Sequence, residues 1–215
     1  MLQYKLLRNH AGMLLVGDYE TLEALHALIH DVNDRSPIVR DREGLFLGLA
    51  YDIRKAYEGQ RRKLKAPAQF PEIGPRFGVE ILWPVLLVQS RILRASMAFI
   101  DTGKWAQAHA YALEAVIEAA LKEDFGGDLG ARLIQRWMAI HPTHPWAEEK
   151  LDSRCAYYCS LGKAERKKRI DGLLASLHPM YQANFAIGIG RGVKNALSPE
   201  ELDEWDGREW PDPRW

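Results

Sequence analysis

Residues 77–100 read FGVEILWPVLLVQSRILRASMAFI, and this stretch decides the fold. In its first seven residues every second side chain is large and apolar, which is typical of a half-buried strand. Pro84 suits the first position of a helix, where the N–H that proline lacks is not needed. Residues 85–100 are apolar on nearly every side of a helical wheel, which indicates a buried, central helix. We therefore predict a strand over 77–83 that leads directly into the core helix.

The flanking sequence predicts a hairpin and a series of helices. Residues 3–17 place short apolar runs on both sides of a turn near His10, the pattern of a β-hairpin. Asp18 is then placed to cap the first long helix, which ends between Asn33 and Pro37. Further helices are predicted over 42–58, 84–100, 104–123, 131–140, 146–161, 163–177 and 180–196, with a short one after Ser198. In the helix over 104–123, the predicted inward-facing residues are Trp105, Ala112, Val116 and Ala119.

These elements predict an α+β fold that is predominantly α-helical. The glycine-rich segment 124–130 (DFGGDLG) is predicted to be a loop, and we find neither an internal repeat nor a clear linker. We expect one bundle-like helical domain over 1–204, with a small N-terminal antiparallel β-hairpin and one further strand. Residues 205–215 form a separate acidic tail that is rich in tryptophan.

Composition restricts the class of protein. The 215 residues include 29 Lys and Arg and 29 Asp and Glu, and 47% of them are hydrophobic. These values exclude collagen, a coiled-coil rod and a disordered tail. No apolar run approaches the ~18 residues that cross a bilayer, so we expect no membrane contact. Two cysteines and an N-terminus without a continuous apolar segment predict a cytoplasmic protein.

Three segments carry a resemblance to a known family. They are GDYETLEAL (17–25), LGLAYDIRKAYEG (47–59) and ILWP (81–84). In these segments the chain resembles an uncharacterised bacterial family, a domain of unknown function, over about its first 120 residues. The resemblance implies a bacterial, cytosolic origin, and it implies no catalytic residue.

Two groups of side chains are candidates for a metal site. In the first, His26 and His30 lie one helical turn apart, with Glu23 and Asp34 on the same side of the helix. Two histidines at this spacing can reach one metal ion, although the same pattern is common on a solvated helix face. The second group is His141, His144, Cys155 and Cys159, which could hold a tetrahedral zinc ion. Alternatively, both cysteines are small, buried core residues. We expect no cofactor, with zinc as the possible exception.

Two basic segments are candidates for nucleic-acid binding. Residues 54–65 hold six basic side chains against one acidic, and residues 163–169 hold five against one. Such clusters contact phosphates, but they also occur on ordinary solvated helices. The candidate contact residues are Arg61, Arg62, Lys63, Lys167, Lys168 and Arg169.

The acidic segments favour a protein partner. Residues 18–34 hold five acidic and no basic side chains, and residues 198–215 hold seven acidic against two basic. The tail places Trp205, Trp210 and Trp215 at intervals of five, and such side chains dock either on their own domain or on a partner. We therefore expect a non-enzymatic interaction module or complex subunit that binds a protein partner or forms a homo-oligomer. A concrete form of this expectation is a subunit of a conflict or defence system. The alternatives are a zinc-dependent hydrolase or zinc-stabilised protein, and a nucleic-acid-binding protein.

Overall fold

Two apolar strands form the centre of a four-stranded sheet. The computed structural model describes residues 1–66, 68–190 and 196–215, with the side chains of 189 and 190 excepted. The strands are β1 (Gln3–Leu6), β2 (Gly12–Gly17), β3 (Arg62–Leu64) and β4 (Arg76–Leu82), in the order β1-β2-β4-β3. β1 pairs antiparallel with β2 and β3 pairs antiparallel with β4. The predicted hairpin and the predicted strand over 77–83 are confirmed, whereas β3 was not predicted.

Helices make up 60% of the residues, which confirms the predominantly helical α+β class. The described residues contain α1 (Tyr19–Arg35), α2 (Leu45–Tyr57), α3 (Trp83–Ser96), α4 (Lys104–Phe125), α5 (Gly127–Met138), α6 (Trp146–Ser160), α7 (Lys163–Ala175), α8 (Tyr181–Gly190) and α9 (Pro199–Asp203). The predicted helix over 180–196 corresponds to α8, and residues 191–195 of that prediction lie outside the described residues. None of the described helices combines the length and apolarity needed to cross a membrane.

The chain forms two compact units, and each is built from separate stretches of sequence. Unit 1 contains residues 1–6, 13–81 and 92–120. Unit 2 contains residues 7–12, 82–91 and 121–215. A single domain over 1–204 stays a prediction.

Unit 1 is built around the pair α1 and α2, which pack against each other. Asp18 caps α1 as predicted, since its side chain accepts a hydrogen bond from the Thr21 N–H at 2.8 Å. The apolar stripe of α1 and the central residues of α2 are buried: Leu22, Leu25, Ile29, Val32, Phe46, Leu49 and Ile53.

Unit 2 is built around buried aromatic residues. The side chains of Trp83, Trp137 and Tyr158 are fully buried. Trp137 Nε1 donates to the carbonyl oxygen of Leu87 and to Ser90 Oγ, both at 3.0 Å. A buried indole N–H needs such a partner, so these bonds fix α5 against the first turns of α3.

Three predicted details of the helices are wrong. α3 ends at Ser96 rather than near Ile100, and Phe99 is 56% exposed. Trp105 is 82% exposed, because the core stripe of α4 is Ala110, Leu113, Ile117 and Leu121, a longer and more apolar row at helical spacing. Residues 124–130 are mostly helical and do not form a loop. Gly126, with a φ of 82°, is the single residue between the end of α4 and the start of α5.

Candidate functional site

Two neighbouring helices of unit 2 carry basic side chains. Arg132 and Arg136 lie one turn apart on the exposed side of α5, whose other side buries Leu133 and Trp137. α7 packs against α5, and Nε of Arg136 donates to Asp171 of α7 at 3.0 Å. The basic side of α5 is thereby held next to α7.

A groove of about 750 Å³, which we call the α5–α7 groove, is lined by α5, α7 and α8. Its basic lining residues are exposed and comprise Arg132, Arg136, Lys167 and Lys168. Its only acidic side chain among the described residues, Asp171, is paired with Arg136. Buried apolar and aromatic residues also line it, including Ile140, Leu174 and Tyr181. Cations and apolar surface in one groove suit phosphates and bases respectively.

A second concave surface of about 600 Å³ shares two residues with this groove. It is lined by His10, Lys163, Ala164, Lys167 and Lys168, and we call it the His10 hollow. Lys163 and Ala164 are the first residues of α7, and the capping residue before them, Gly162, has no side chain with which to satisfy the N–H groups of that turn. A helix start of this kind favours anions. The two surfaces together form a continuous basic strip.

His10 is held by a buried carboxylate. Its Nδ1 lies 2.8 Å from Asp124 Oδ1, and the two side chains are only 11% and 7% exposed. Trp83 Nε1 donates to the other oxygen of Asp124 at 2.8 Å, and the imidazole stacks on Phe125. An ionised carboxylate only accepts hydrogen bonds, which places the hydrogen of a neutral imidazole on Nδ1. Nε2 of that ring is then left with its lone pair.

The backbone under this side chain is strained. Asn9 and His10 both have a left-handed conformation, with φ of 59° and 54°. Such residues are rare outside glycine and cost about 1–3 kcal/mol each. The turn is held by two buried groups, because the Tyr158 hydroxyl donates to the carbonyl oxygen of His10 and Arg166 Nη1 donates to that of Asn9 at 3.3 Å. The imidazole is therefore placed by the surrounding structure rather than by local preference.

The tail 205–215 contacts its own unit. Trp205 packs edge-on against Tyr157, and Trp210 Nε1 donates to Asp152 at 2.8 Å. Trp215 is still partly exposed. Trp205 and Trp210 thus contact their own unit, Trp210 is still 40% exposed, and docking of the tail on a partner stays a prediction.

The predicted nucleic-acid contacts fall in both units. In unit 1, Arg61 pairs with Asp52 and Arg62 pairs with Glu80, both at 2.8 Å. Lys63 lies over the ring of Phe77. Local charge counting misses these partners, because Asp52 and Glu80 lie outside the segment 54–65.

In unit 2, Lys167 and Lys168 line both concave surfaces. Arg169 is paired with Glu165 within α7. Lys168 lies 3.9 Å from the same carboxylate, which is a weak exposed pair.

The first predicted metal group is brought together only in part. The rings of His26 and His30 are 4.5 Å apart, and His26 Nδ1 lies 3.5 Å from the Tyr57 hydroxyl. Glu23 instead accepts a hydrogen bond from Tyr19, and Asp34 is exposed. No three His, Cys, Asp or Glu side chains in the described part of the chain are grouped to hold a metal ion.

The second predicted metal group combines two buried thiols with two histidines that bond within their own turn. Cys155 and Cys159 lie on the buried side of α6 as free thiols. Burial raises the pKa of Cys159 to about 11, so its thiol is neutral near pH 7. His141 Nδ1 lies 3.0 Å from the hydroxyl of Thr143, and His144 Nδ1 accepts the N–H of Trp146. Zinc at this group stays a prediction.

Comparison with known families gives one result. The family described as Domain of unknown function (DUF6904) matches residues 2–212. The chain belongs to this family. The match to DUF6904 covers far more of the chain than the first 120 residues, over which the resemblance was predicted. No curated protein and no solved structure matches the chain.

Sequence reasoning missed four residues of this site. Arg132 and Arg136 lie inside the predicted helix over 131–140, but they were missed because they are two isolated cations and not part of a run of charge. His10 was read as part of a turn, and Asp124 as part of a loop. A pair of residues 114 positions apart leaves no local pattern in one sequence.

Proposed function

We propose that this protein binds single-stranded nucleic acid along unit 2. The observation that carries the proposal is the continuous basic strip formed by the α5–α7 groove and the His10 hollow. Four exposed cations at its centre, Arg132, Lys163, Lys167 and Lys168, are available for phosphates, with only one weak ion pair among them in the described residues. A bacterial, cytoplasmic setting is part of this proposal.

The apolar interior of the α5–α7 groove supports a single strand rather than a duplex. The partly exposed ring of Phe185 lines the groove beside the buried side chains of Leu174 and Ile140. Paired bases present only their edges, whereas unpaired bases can insert into an apolar groove and stack on aromatic rings. An inorganic anion would not require the apolar surface of this groove.

The test measures the binding of a labelled single-stranded oligonucleotide by fluorescence anisotropy at salt concentrations between 50 and 200 mM. The variant K167A/K168A should bind at least tenfold more weakly at 50 mM salt. Its slope of log affinity against log salt should be smaller by about 1.4, since each phosphate contact to a single strand contributes about 0.7. The matched control is R61A/R62A, whose side chains are ion-paired in unit 1, and it should bind like the parent.

Three results would contradict the proposal. They are no binding by the parent at 50 mM salt, a preference for the duplex, and equal losses in the two double variants. If no oligonucleotide binds, whereas an acidic peptide binds to the parent and not to K167A/K168A, the strip takes a protein ligand instead of nucleic acid.

A second candidate function, self-association, is favoured by a separate observation on unit 1. Trp105 is 82% exposed, and Phe99 is more than half exposed close to it in sequence. Exposed tryptophan is a frequent centre of protein interfaces, so we propose a second copy of the chain as its partner. Light scattering over 1–100 μM protein tests this: W105S should remain monomeric where the parent dimerises, and I187S, at another exposed apolar position, should dimerise. A parent that is monomeric throughout excludes it.

A further inference from the structure

The pair of His10 and Asp124 is more than the binding of a strand requires. A phosphate needs only the positive charges of Lys163, Lys167 and Lys168. The structure adds an imidazole that lines the same hollow, a carboxylate that orients it, and an indole N–H that orients the carboxylate. Buried Asp and His pairs of this geometry hold an imidazole in one tautomer for proton transfer.

A structural role alone does not explain the arrangement. If His10 only stabilised a turn, a turn with ordinary negative φ angles would suffice. Instead, Tyr158 and Arg166 hold two successive residues in the left-handed conformation. Strain that is held in place by buried groups is characteristic of functional sites. Its effect here is to carry the imidazole to the surface of the hollow while Nδ1 stays bonded to Asp124.

We infer that His10 is the general base of a ribonuclease site, in which the His10–Asp124 pair and the lysines of the His10 hollow cleave single-stranded RNA. This inference rests on the proposed function, because it needs the strand to lie along the basic strip. Asp124 acts as a positioning residue. Lys163 and Lys167, which line the hollow together with His10, bind the scissile phosphate.

The reaction is an internal transfer of the phosphoryl group. Nε2 of His10 removes the proton of a ribose 2′-hydroxyl, and a bond forms between O2′ and phosphorus while the bond from phosphorus to O5′ breaks. The proton on His10 then passes through a water molecule to the leaving O5′. The products are a 2′,3′-cyclic phosphate and a 5′-hydroxyl, and no co-reactant is consumed. The lysines stabilise the charge that develops on the phosphate oxygens.

The charged surroundings of His10 favour this role. Asp124 lies against it from α4, and Lys163, Lys167 and Lys168 face the hollow from α7. Arg166 is buried below the turn. The lysines are placed for the phosphate, and the carboxylate of Asp124 is placed to hold the ring orientation during proton transfer.

The experiment uses the full chain, a fluorescently labelled single-stranded oligoribonucleotide and EDTA. Parent protein should release a product with a 2′,3′-cyclic phosphate, identified by mass spectrometry. H10A, prepared identically, should lose at least 100-fold in rate and regain part of it when imidazole is added. D124N should lower kcat about 10- to 100-fold with little change in KM. A merely structural histidine would not respond to imidazole.

Two outcomes separate this inference from the proposed function. The same sequence made with 2′-deoxyribose should bind to the parent with similar affinity and remain uncut. If the parent binds both oligonucleotides and cuts neither, the ribonuclease inference fails and the binding proposal stands. If it binds neither, both fail. Cleavage that is equal in parent and H10A preparations also overturns the inference, whatever the stability of the variant.

Discussion

At the scale of single residues, His26 in α1 is expected to make unit 1 sensitive to acid. Nε2 of His26 is buried without a hydrogen-bond partner. Burial lowers the pKa of this imidazole, and the nearby charges of His30 and Arg54 lower it further. In the unfolded chain the imidazole keeps an ordinary pKa near 6.5. Below about pH 6.5 the unfolded state therefore binds more protons than the folded state, and the free energy of unfolding falls as the pH falls.

We predict that H26Q reduces this fall in the free energy of unfolding at low pH. Urea unfolding at pH 7.5, 6.5 and 5.5 should show a smaller decline in the free energy of unfolding for H26Q than for the parent. H30Q should show an intermediate decline, because it removes one of the charges that lower the pKa of His26. Identical declines in parent and H26Q would show that His26 does not carry the effect.

Residues differ in how far the sequence reveals their role. The caps formed by Asp18 and Ser198 are predictable, because a capping side chain bonds to an N–H three residues later. The partnership of His10 with Asp124 is not, because it depends on how distant segments pack. Arg166 belongs to a charged run in the sequence, yet it is fully buried.

At the scale of helices, the crossing of α4 and α5 in unit 2 depends on Gly130. A Cβ at this position would lie 2.9 Å from Lys122 Cα and 3.0 Å from Leu121 O, which are backbone atoms that cannot move aside. We predict that G130A lowers the free energy of unfolding by about 1–2 kcal/mol, since the overlap outweighs alanine's helix propensity. The matched control is G127A, whose Cβ meets nothing within 4 Å. Urea unfolding should find G127A as stable as the parent or slightly more so. Equal stabilities for the two variants would contradict the close crossing.

The elements themselves follow the sequence where one pattern is long and regular. The alternation over 77–83 predicts β4, and the apolar stripe of α1 predicts its buried face. β3 is too short, at three residues, to show an alternation. The buried face of α4 was predicted wrongly, because the prediction placed its one tryptophan in the core. The structure buries the row of smaller apolar residues instead.

At the scale of the whole chain, the zero net charge conceals pairs that join distant segments within each unit. The acidic residues Asp203 and Asp206 pair with Lys150, and Arg154 reaches Asp203 at 3.4 Å. In unit 1, Asp52 and Glu80 offset the basic segment 54–65. In the basic strip of unit 2, by contrast, the described residues show only the pair of Arg136 with Asp171 and the weak pair of Lys168 with Glu165. The sequence predicted half of that strip, through Lys167 and Lys168, because charge runs are local.

The tail 205–215 is anchored by a buried cation without a carboxylate partner among the described residues. Arg166 donates to the carbonyl oxygens of Tyr158 and Cys159 at the end of α6, to Asn9, and at 2.6 Å to Pro213. Carbonyls at a helix C-terminus favour a positive charge, and burial lowers the pKa of this guanidinium, although arginine remains charged in proteins. One side chain thus joins the turn at Asn9, α6 and the tail.

R166M should therefore release the tail and leave several buried carbonyl groups without partners. We expect the free energy of unfolding to fall by about 2–4 kcal/mol, at roughly 1–3 kcal/mol for each group left unsatisfied. Trypsin should cut after Arg208 much faster than in the parent, as followed by intact mass under native conditions. R169M is the matched control, because in the described residues Arg169 pairs with Glu165 on its own helix, and such solvent-accessible pairs contribute little. If R166M keeps Arg208 as protected as R169M does, then the tryptophan and aspartate contacts of the tail suffice to hold it, and Arg166 serves only to close the end of α6.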